Sequence, residues 1–395
     1  MQSNEITSLL KNPDFLREIE VYSNEEPDQL ALKFTKAGIE HRTKLTQILQ
    51  LYRKAQHKLP TWVEHKLALT KRSYEQSSSE ACAKFKAGLV KGKTIADLTC
   101  GLGVDSYYFA QEFDNVIAFE HNAETAEVTR FNMEKLGIQN ITINPKKFKG
   151  LSELKPDVIY VDPDRRTNSD SQGRNIEQYE PNILEHLEQW LAISGTVMIK
   201  LSPVTDITWI RNNIPQSSDI CVVSVKNEIK EILVLAMKDA REITLHAVDL
   251  YDHRIAQFSS SQSPAKSTSN TSSSKYLFEP GRAVIKSGLE SAFLSHRGLK
   301  AINDSGTLAW VEKGEIELGR IFNIIDQAPS NKKSIKSLLK RHNVNRAEII
   351  CRNYFEQSKV VRKKLRLASG GNKFLIFTVI ENSGVCFLAD DLLLV

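Results

Sequence analysis

The sequence lacks the features that mark several classes of protein. Its 395 residues include five cysteines, Cys82, Cys100, Cys221, Cys351 and Cys386, none in a CxxC spacing. An odd, scattered set excludes a disulfide framework and a cysteine zinc ribbon. The nine histidines form neither HExxH nor another paired metal spacing, so no metal is expected. The longest clean apolar run is Ile232–Met237, far short of the roughly 18 residues that a membrane span needs. The amino terminus has no apolar stretch before a small-residue cleavage site, so no secretory signal is expected. What remains is a chain 41% apolar and 26% charged, the balance of a soluble globular protein. A reduced, cytoplasmic protein with no membrane association is the expectation.

Charge is informative by segment. The formal net charge is +5, yet Asn331–Arg366 holds twelve Lys and Arg against Glu348 and Glu356, a local +10 that leaves −5 for the rest. A basic tract on an otherwise acidic chain points to a polyanionic partner. The alternative is the solvated face of a surface helix.

The first 75 residues read as helical. Leu45, Ile48, Leu49 and Tyr52 make one apolar stripe, and Pro60 is expected to end that helix. From residue 76 to about 240, β-branched runs (94–98, 115–120, 157–162 and 195–200) alternate with helical stretches such as 123–136 and 181–191. Such alternation means βαβ units and a parallel sheet. Residues 219–225 and 229–237 are separated only by polar residues around Asn227, a spacing that allows an antiparallel hairpin. Ser259–Ser274 has nine serines and two threonines in sixteen residues and reads as a flexible linker. Beyond it the pattern is helix (332–342), strand (347–351), helix (358–366) and closing strands (374–380 and 385–389).

The strongest chemical signal is Thr94–Asp105, TIADLTCGLGVD. A strand ends at Asp97–Leu98, and Gly101 and Gly103 turn the chain into a helix whose free amide donors face a ligand. Glu120, seventeen residues after Gly103, ends the next strand, where a carboxylate can accept both hydroxyls of a ribose. A dinucleotide fingerprint needs a third glycine where Ser106 stands. Asp97 would repel a pyrophosphate and attract an ammonium or sulfonium. Together these favour S-adenosylmethionine (SAM) over NAD. The stretch Gly88–Thr94 mimics a phosphate loop but has three residues between its glycines where four are required, and it precedes a strand. A second signal is Asp162-Pro163-Asp164-Arg165-Arg166, at the carboxyl end of a strand, where ligands of open α/β sheets bind. Asp162 there can hold an amine whose nitrogen attacks a methyl group, and the arginines can clamp a phosphate or stack on a base. The plainer reading is a turn acid paired with its neighbouring arginines.

These residues carry a resemblance. Residues 76–240 resemble a class I SAM-dependent methyltransferase, with Asp97-x-x-x-Gly101-x-Gly103 as the cofactor loop. Asp162–Arg165 resembles the [DN]-P-P-[YFWR] motif of nucleic-acid amino-methyltransferases. The whole chain is similar to a bacterial family of methyltransferases with a ferredoxin-like segment and a carboxyl-terminal THUMP-like domain. Glu75–Ser78, Asp97–Asp105, Asp162-Pro163 with Arg165-Arg166, Lys200–Pro203, Tyr276–Pro280 and Arg362–Arg366 are the matching pieces.

The resemblance implies a Rossmann-like doubly wound α/β sheet with an amino-terminal helical region and a carboxyl-terminal α+β THUMP-like domain. The implied division is 1–75 helical, 76–240 methyltransferase, 241–275 hairpin and Ser-rich linker, 276–325 ferredoxin-like, and 326–395 THUMP-like and basic. It implies SAM as cofactor, held by Asp97, Thr99, Gly101, Gly103, Asp105, Glu120 and His121, with Gln76 and Ser78 closing over it. Asp162, Pro163 and Arg165 become the catalytic set, and RNA becomes the partner of 332–366.

Three departures from the family pattern stand out. Asp164 replaces the usual second proline, Arg165 replaces an aromatic residue, and Ile143–Phe148 lacks the acid that often bonds adenine. Cys100 reads as a packed thiol rather than a nucleophile, and Lys200 as a surface lysine. The rival readings are a methyltransferase acting on protein or a small molecule, a non-catalytic SAM- or RNA-binding protein, and an NAD oxidoreductase.

Overall fold

Burial of β-branched residues on both faces sets the centre of the structure, a computed structural model that describes residues 3–25, 29–30, 34, 41–148, 151–165, 179–252, 254–261, 274–303, 305–312 and 316–392. Strand β1 (Thr94–Asp97) is buried from Ile95 onward. It lies parallel to β2 (Asn115–Phe119), and β2 lies parallel to β3 (Ile141–Asn144). On the other side β1 pairs with β4 (Val158–Val161), buried at every position. Strands β5 (Asp164–Arg165) and β6 (Tyr179–Glu180) form a separate two-residue ladder. Strand β7 (Thr196–Leu201) continues the sheet parallel to β4. Continuous apolar strands of this kind need cover on both faces, which fits parallel pairing. The chain leaves β1 toward β2 on one side and has β4 on the other, so the sheet reverses direction at β1. Ligands of such sheets bind outside the carboxyl ends of the strands at this point.

The chain divides into two compact units, the first comprising Met1–Leu201, Asn212–Ser217 and Val234–Ala240. Before β1 this unit holds α1 (Ser3–Leu9), α2 (Pro13–Tyr22), α3 (Arg42–Ala55), α4 (Pro60–Glu64), α5 (Lys71–Gln76) and α6 (Glu80–Leu89). The stripe of Leu45, Ile48, Leu49 and Tyr52 is the buried face of α3, as its spacing requires. Pro60 does not stop that helix; α3 ends at Ala55, and Pro60 stands at the first position of α4, where its missing amide costs nothing. Helices α7 (Val104–Glu112), α8 (Ala123–Lys135) and α9 (Ile183–Ile193) follow β1, β2 and β6. The amino-terminal helices share a core with α7 and α8, through Trp62, Leu67, Leu102, Val128 and Met133 among others. Fully buried Asn132 on α8 completes the join, accepting from the Ala68 amide (2.8 Å) and donating to its carbonyl (3.0 Å).

The second unit comprises Ser202–Arg211, Ser218–Leu233 and Arg241–Val395. After α10 (Ile207–Asn213), β8 (Ser217–Val225) passes to β9 (Glu228–Met237) through Lys226 and Asn227, both at positive φ (50° and 62°). A two-residue loop with both centres left-handed is the twist-matched hairpin turn, so the hairpin expected here is present. Residues 241–275 hold a hairpin before the Ser-rich tract. Strand β10 (Thr244–Leu250) runs parallel to β8, and β11 (Ile255–Ser260) pairs antiparallel with β10. Most of the Ser-rich tract, 262–273, lies outside the described residues.

The rest forms one six-stranded sheet with the order β13-β12-β14-β17-β16-β15. It contains β12 (Tyr276–Pro280), β13 (Ala309–Val311), β14 (Gly319–Pro329), β15 (Glu348–Cys351), β16 (Lys373–Ile380) and β17 (Ser383–Leu392). The domain boundary expected at 325/326 therefore falls inside β14. Helices α11 (Arg282–Ser287) and α12 (Glu290–His296) follow β12; α13 (Lys332–Arg341) and α14 (Ser358–Leu365) bury Ile335, Leu338, Leu339 and Val361 against Leu375, Phe377 and Leu388. Among the described residues no helix is long and apolar enough to cross a membrane.

Asn132→Ala is expected to lower the stability of the first unit by roughly 1–3 kcal/mol for each Ala68 group left buried and unpaired, read from its urea unfolding transition. Asn132→Asp, which sets a carboxylate oxygen against the Ala68 carbonyl in a fully buried site, is expected to cost at least as much.

Candidate functional site

The carboxyl ends of β1, β2 and β4 deliver three acids, Asp97, Glu120 and Asp162, and the structure gives each a different role. Asp97 is fully buried. Its Oδ1 accepts from the Thr99 amide (3.0 Å) and its Oδ2 from the Ser106 hydroxyl (2.5 Å). Burial, incompletely offset by these two bonds, pushes its pKa up to about 7. The carboxylate read from the sequence as facing a cation is thus enclosed by the loop it belongs to, and its work is to fix the turn between β1 and α7.

The two glycines of that turn serve different ends. Gly103 has φ +81°, and a Cβ there would lie 2.5 Å from Thr129 Cγ2 and 2.9 Å from Met133 Cε; it lets α8 pack against the loop. Gly101 has φ +54°, and a Cβ there would meet only the Thr99 carbonyl, at 3.9 Å. Its carbonyl accepts from Thr129 Oγ1 (2.7 Å), and its amide donates to Glu120 Oε2 (3.0 Å). At Gly101 the backbone is therefore open on the side where a side chain would stand.

Glu120 is 8% exposed. Its Oε1 accepts from the Asn122 amide (2.8 Å) and lies 3.3 Å from Nδ1 of the exposed His121. Each carboxylate oxygen holds one backbone donor and retains a further lone pair. A ribose hydroxyl pair suits that acceptor set, and the open side of Gly101 suits a nucleoside close to the backbone, so the residues present fit SAM at this end of the sheet.

Beneath the loop lies a charged network that the sequence reading did not find as a unit. Lys86 on α6 is fully buried and pairs with Asp105 (2.9 Å). Asp105 Oδ2 also accepts from Ser78 Oγ (2.9 Å) and Tyr160 OH (2.7 Å), while Lys86 donates to Ser78 Oγ (2.8 Å). Burial alone would raise the Asp105 pKa; the Lys86 and Lys200 ammonium groups outweigh it and hold the pKa below the ordinary value. Asp105 and Ser78, expected at the cofactor, are thus engaged inside the protein. The signal for Lys86 was available, since it stands four residues after Cys82 and three after Ala83, on the buried face of α6.

Asp162 is half-buried. Its amide donates to Thr99 Oγ1 (2.7 Å), and its carboxylate forms a close ion pair with Lys200 at the end of β7. Thr99 therefore ties the glycine loop to the second motif, and Lys200 is part of the site, not a plain surface lysine. Pro163 is buried; Asp164 and Arg165 form β5. The side chain of Arg165 and all of Arg166 lie outside the described residues. Gln76 is exposed at the end of α5, 3.3 Å from Arg72 Nε. Cys100 is buried, and burial pushes its thiol well above the ordinary range; a thiol held protonated is no nucleophile. Among the described residues no group of His, Cys, Asp and Glu is placed to hold a metal.

Residues 319–391 match the THUMP domain-like family. No curated protein matches the sequence. A crystal structure from Porphyromonas gingivalis W83, provisionally described as a methyltransferase, aligns over 100% of both chains at 25% identity with a TM-score of 0.80. An rRNA methylase from Streptococcus thermophilus aligns over 40% of this chain and 93% of its own, at 16% identity and a TM-score of 0.28. A Streptococcus mutans protein in complex with SAH, also provisionally described as a methyltransferase, aligns over 43% of this chain and 100% of its own, at 15% identity and a TM-score of 0.28. The full-length likeness extends to the flanking regions as well as the central sheet. The chain thus has an α/β methyltransferase fold with a carboxyl-terminal THUMP-like domain, the class expected from the resemblance.

Because the folded pKa of Asp97 exceeds its unfolded value, its contribution to stability is full below about 4 and is lost as pH rises toward about 7. Asp97→Asn keeps an acceptor for Thr99 and cannot ionise. Its stability relative to the native chain is expected to rise steadily between those pH values and to level off above them, measured by urea unfolding across the range.

Proposed function

We propose that this protein is a SAM-dependent methyltransferase that transfers the methyl group to a nucleobase nitrogen in RNA. The observation that supports it best is the pairing, at one end of one sheet, of a ribose-type acceptor beside an open glycine with a carboxylate held by a lysine. The THUMP-like match over the basic segment supports RNA as the substrate. SAM, when bound, supplies a methyl group already activated on a sulfonium. Glu120 accepts the ribose hydroxyls, and Gly101 admits the nucleoside close to the backbone. The Asn122 and Gly101 amides hold the Glu120 carboxylate in place.

Asp162 accepts an N–H of the target amine and so aims the nitrogen lone pair. Lys200 pairs with Asp162 and fixes its rotamer. Thr99 holds the Asp162 backbone at a set distance from the glycine loop, so both halves of the site move together. Positioning contributes most when the donor is already activated. Pro163 stiffens the chain beside Asp162, and Arg165 contacts the substrate. The absence of any disulfide among the five cysteines supports a reducing, cytoplasmic setting.

Incubation with labelled SAM and total cellular RNA tests the proposal. Methyl incorporation is expected, and Asp162→Asn is expected to lower it on the order of 10²- to 10⁴-fold with SAM affinity unchanged. Glu120→Gln is expected instead to weaken SAM binding about 10- to 100-fold, the loss of hydrogen bonds to a charged acceptor. Incorporation into protein, with none into RNA, would overturn the RNA assignment.

A further inference from the structure

Phe355 is 73% exposed, and among the described residues it is the only Phe, Tyr or Trp side chain on the open surface. It stands in the loop between β15 and α14, within the basic segment. Its ring is not a loose end. Tyr354 lies 5.4 Å from it, centroid to centroid, and 5.2 Å from fully buried Phe377. The three rings form a ladder that anchors Phe355 to the core. On its other side a Cβ at Gly384 would lie 3.4 Å from the ring edge and 2.2 Å from Ser330 Oγ. Gly384 and Ser330 are joined by a backbone hydrogen bond of 2.9 Å. The ring therefore sits where α13 begins, just after Ser330, and four residues before Lys359 in the first turn of α14.

Cations outnumber acids in 331–366 by twelve to two. Arg341, Arg352, Arg362 and Lys364 are paired with Asp326, Glu279, Glu348 and Glu356. The other eight cations of 331–366 are exposed and make no ion pair among the described residues. Lys332 and Lys333 open α13 and Lys359 opens α14, with no acid in either first turn. Cations at the positive end of a helix dipole gain nothing from their own helix. An anion brought in from outside relieves them, while an exposed phenyl ring needs a flat apolar partner.

We infer that Phe355 is a stacking platform for an unpaired base of the RNA, with Lys332, Lys333 and Lys359 holding the phosphates on either side. A strand whose bases are free offers both chemistries together: a π-face for the ring and phosphates for the cations. In a duplex the bases are already stacked, and the ring has nothing to take. The inference rests on RNA being the substrate, and it adds that the segment engaged here is single-stranded.

Fluorescence anisotropy on the full chain, without SAM, tests it with two labelled probes: a short single-stranded RNA and a duplex RNA of equal length. Phe355→Ala is expected to weaken single-strand binding on the order of 5- to 150-fold, the range for removing one stacking ring, and to leave duplex binding unchanged. Phe355→Trp is expected to retain single-strand affinity, and Lys333→Gln to weaken both probes alike. An unchanged melting temperature verifies that each variant is folded. Salt-sensitive binding of single strands by the native chain, with Phe355→Ala binding equally well, would overturn this inference and leave the RNA reading standing. Failure of the native chain to bind either probe would overturn both.

Discussion

A carboxylate with no access to water organises the site. Asp97 can stay buried at the end of β1 only if donors reach both its oxygens, and they come from opposite sides of the glycine turn: the Thr99 amide before it and the Ser106 hydroxyl after it. Meeting both forces the chain to reverse tightly between them, which sets Gly101 and Gly103 in left-handed conformations. The same reversal starts α7 where Asp105 can meet Lys86. The acid thus shapes the glycine turn from within. What the structure shows of this acid is its hold on the backbone of the turn, through Thr99 and Ser106.

Order propagates outward from that turn through single side chains. Thr99 bonds the amide of Asp162, so the end of β4 is tied to the end of β1. Lys200 at the end of β7 then reaches Asp162, and Gly101 reaches Glu120 at the end of β2. Four parallel strands so converge on one group of polar atoms, all within one compact unit. A carboxylate bonded to an ammonium is held in one direction. Glu120 and Asp162 are each steadied by a donor from a neighbouring strand or loop.

Much of the central architecture was legible in the sequence because it depends on local pattern. The buried runs at 94–98 and 157–162 became β1 and β4, and the apolar stripe of Leu45, Ile48, Leu49 and Tyr52 became the inner face of α3. The spacing around Asn227 gave a hairpin, with a tighter loop than the composition implied. What local pattern did not carry was partnership at a distance. Lys86 lies 19 residues before Asp105, and only the fold brings them into contact. The direction of the Asp97 carboxylate was equally hidden, because it is set by Ser106 on the following helix as well as by its own strand. Pro60 was misread for a different reason: proline ends one helix and begins another with the same chemistry, and only the position of Ala55 decides between them. The boundary expected at 325/326 falls inside β14, a strand that pairs with both β12 and β17.

The cofactor assignment tests the account most directly, through equilibrium binding of SAM and of NAD to the intact chain by titration calorimetry. The account predicts saturable binding of SAM at one site per chain, competition by SAH, and no heat from NAD. Saturable binding of NAD, or no binding of SAM while the chain remains folded, would contradict it.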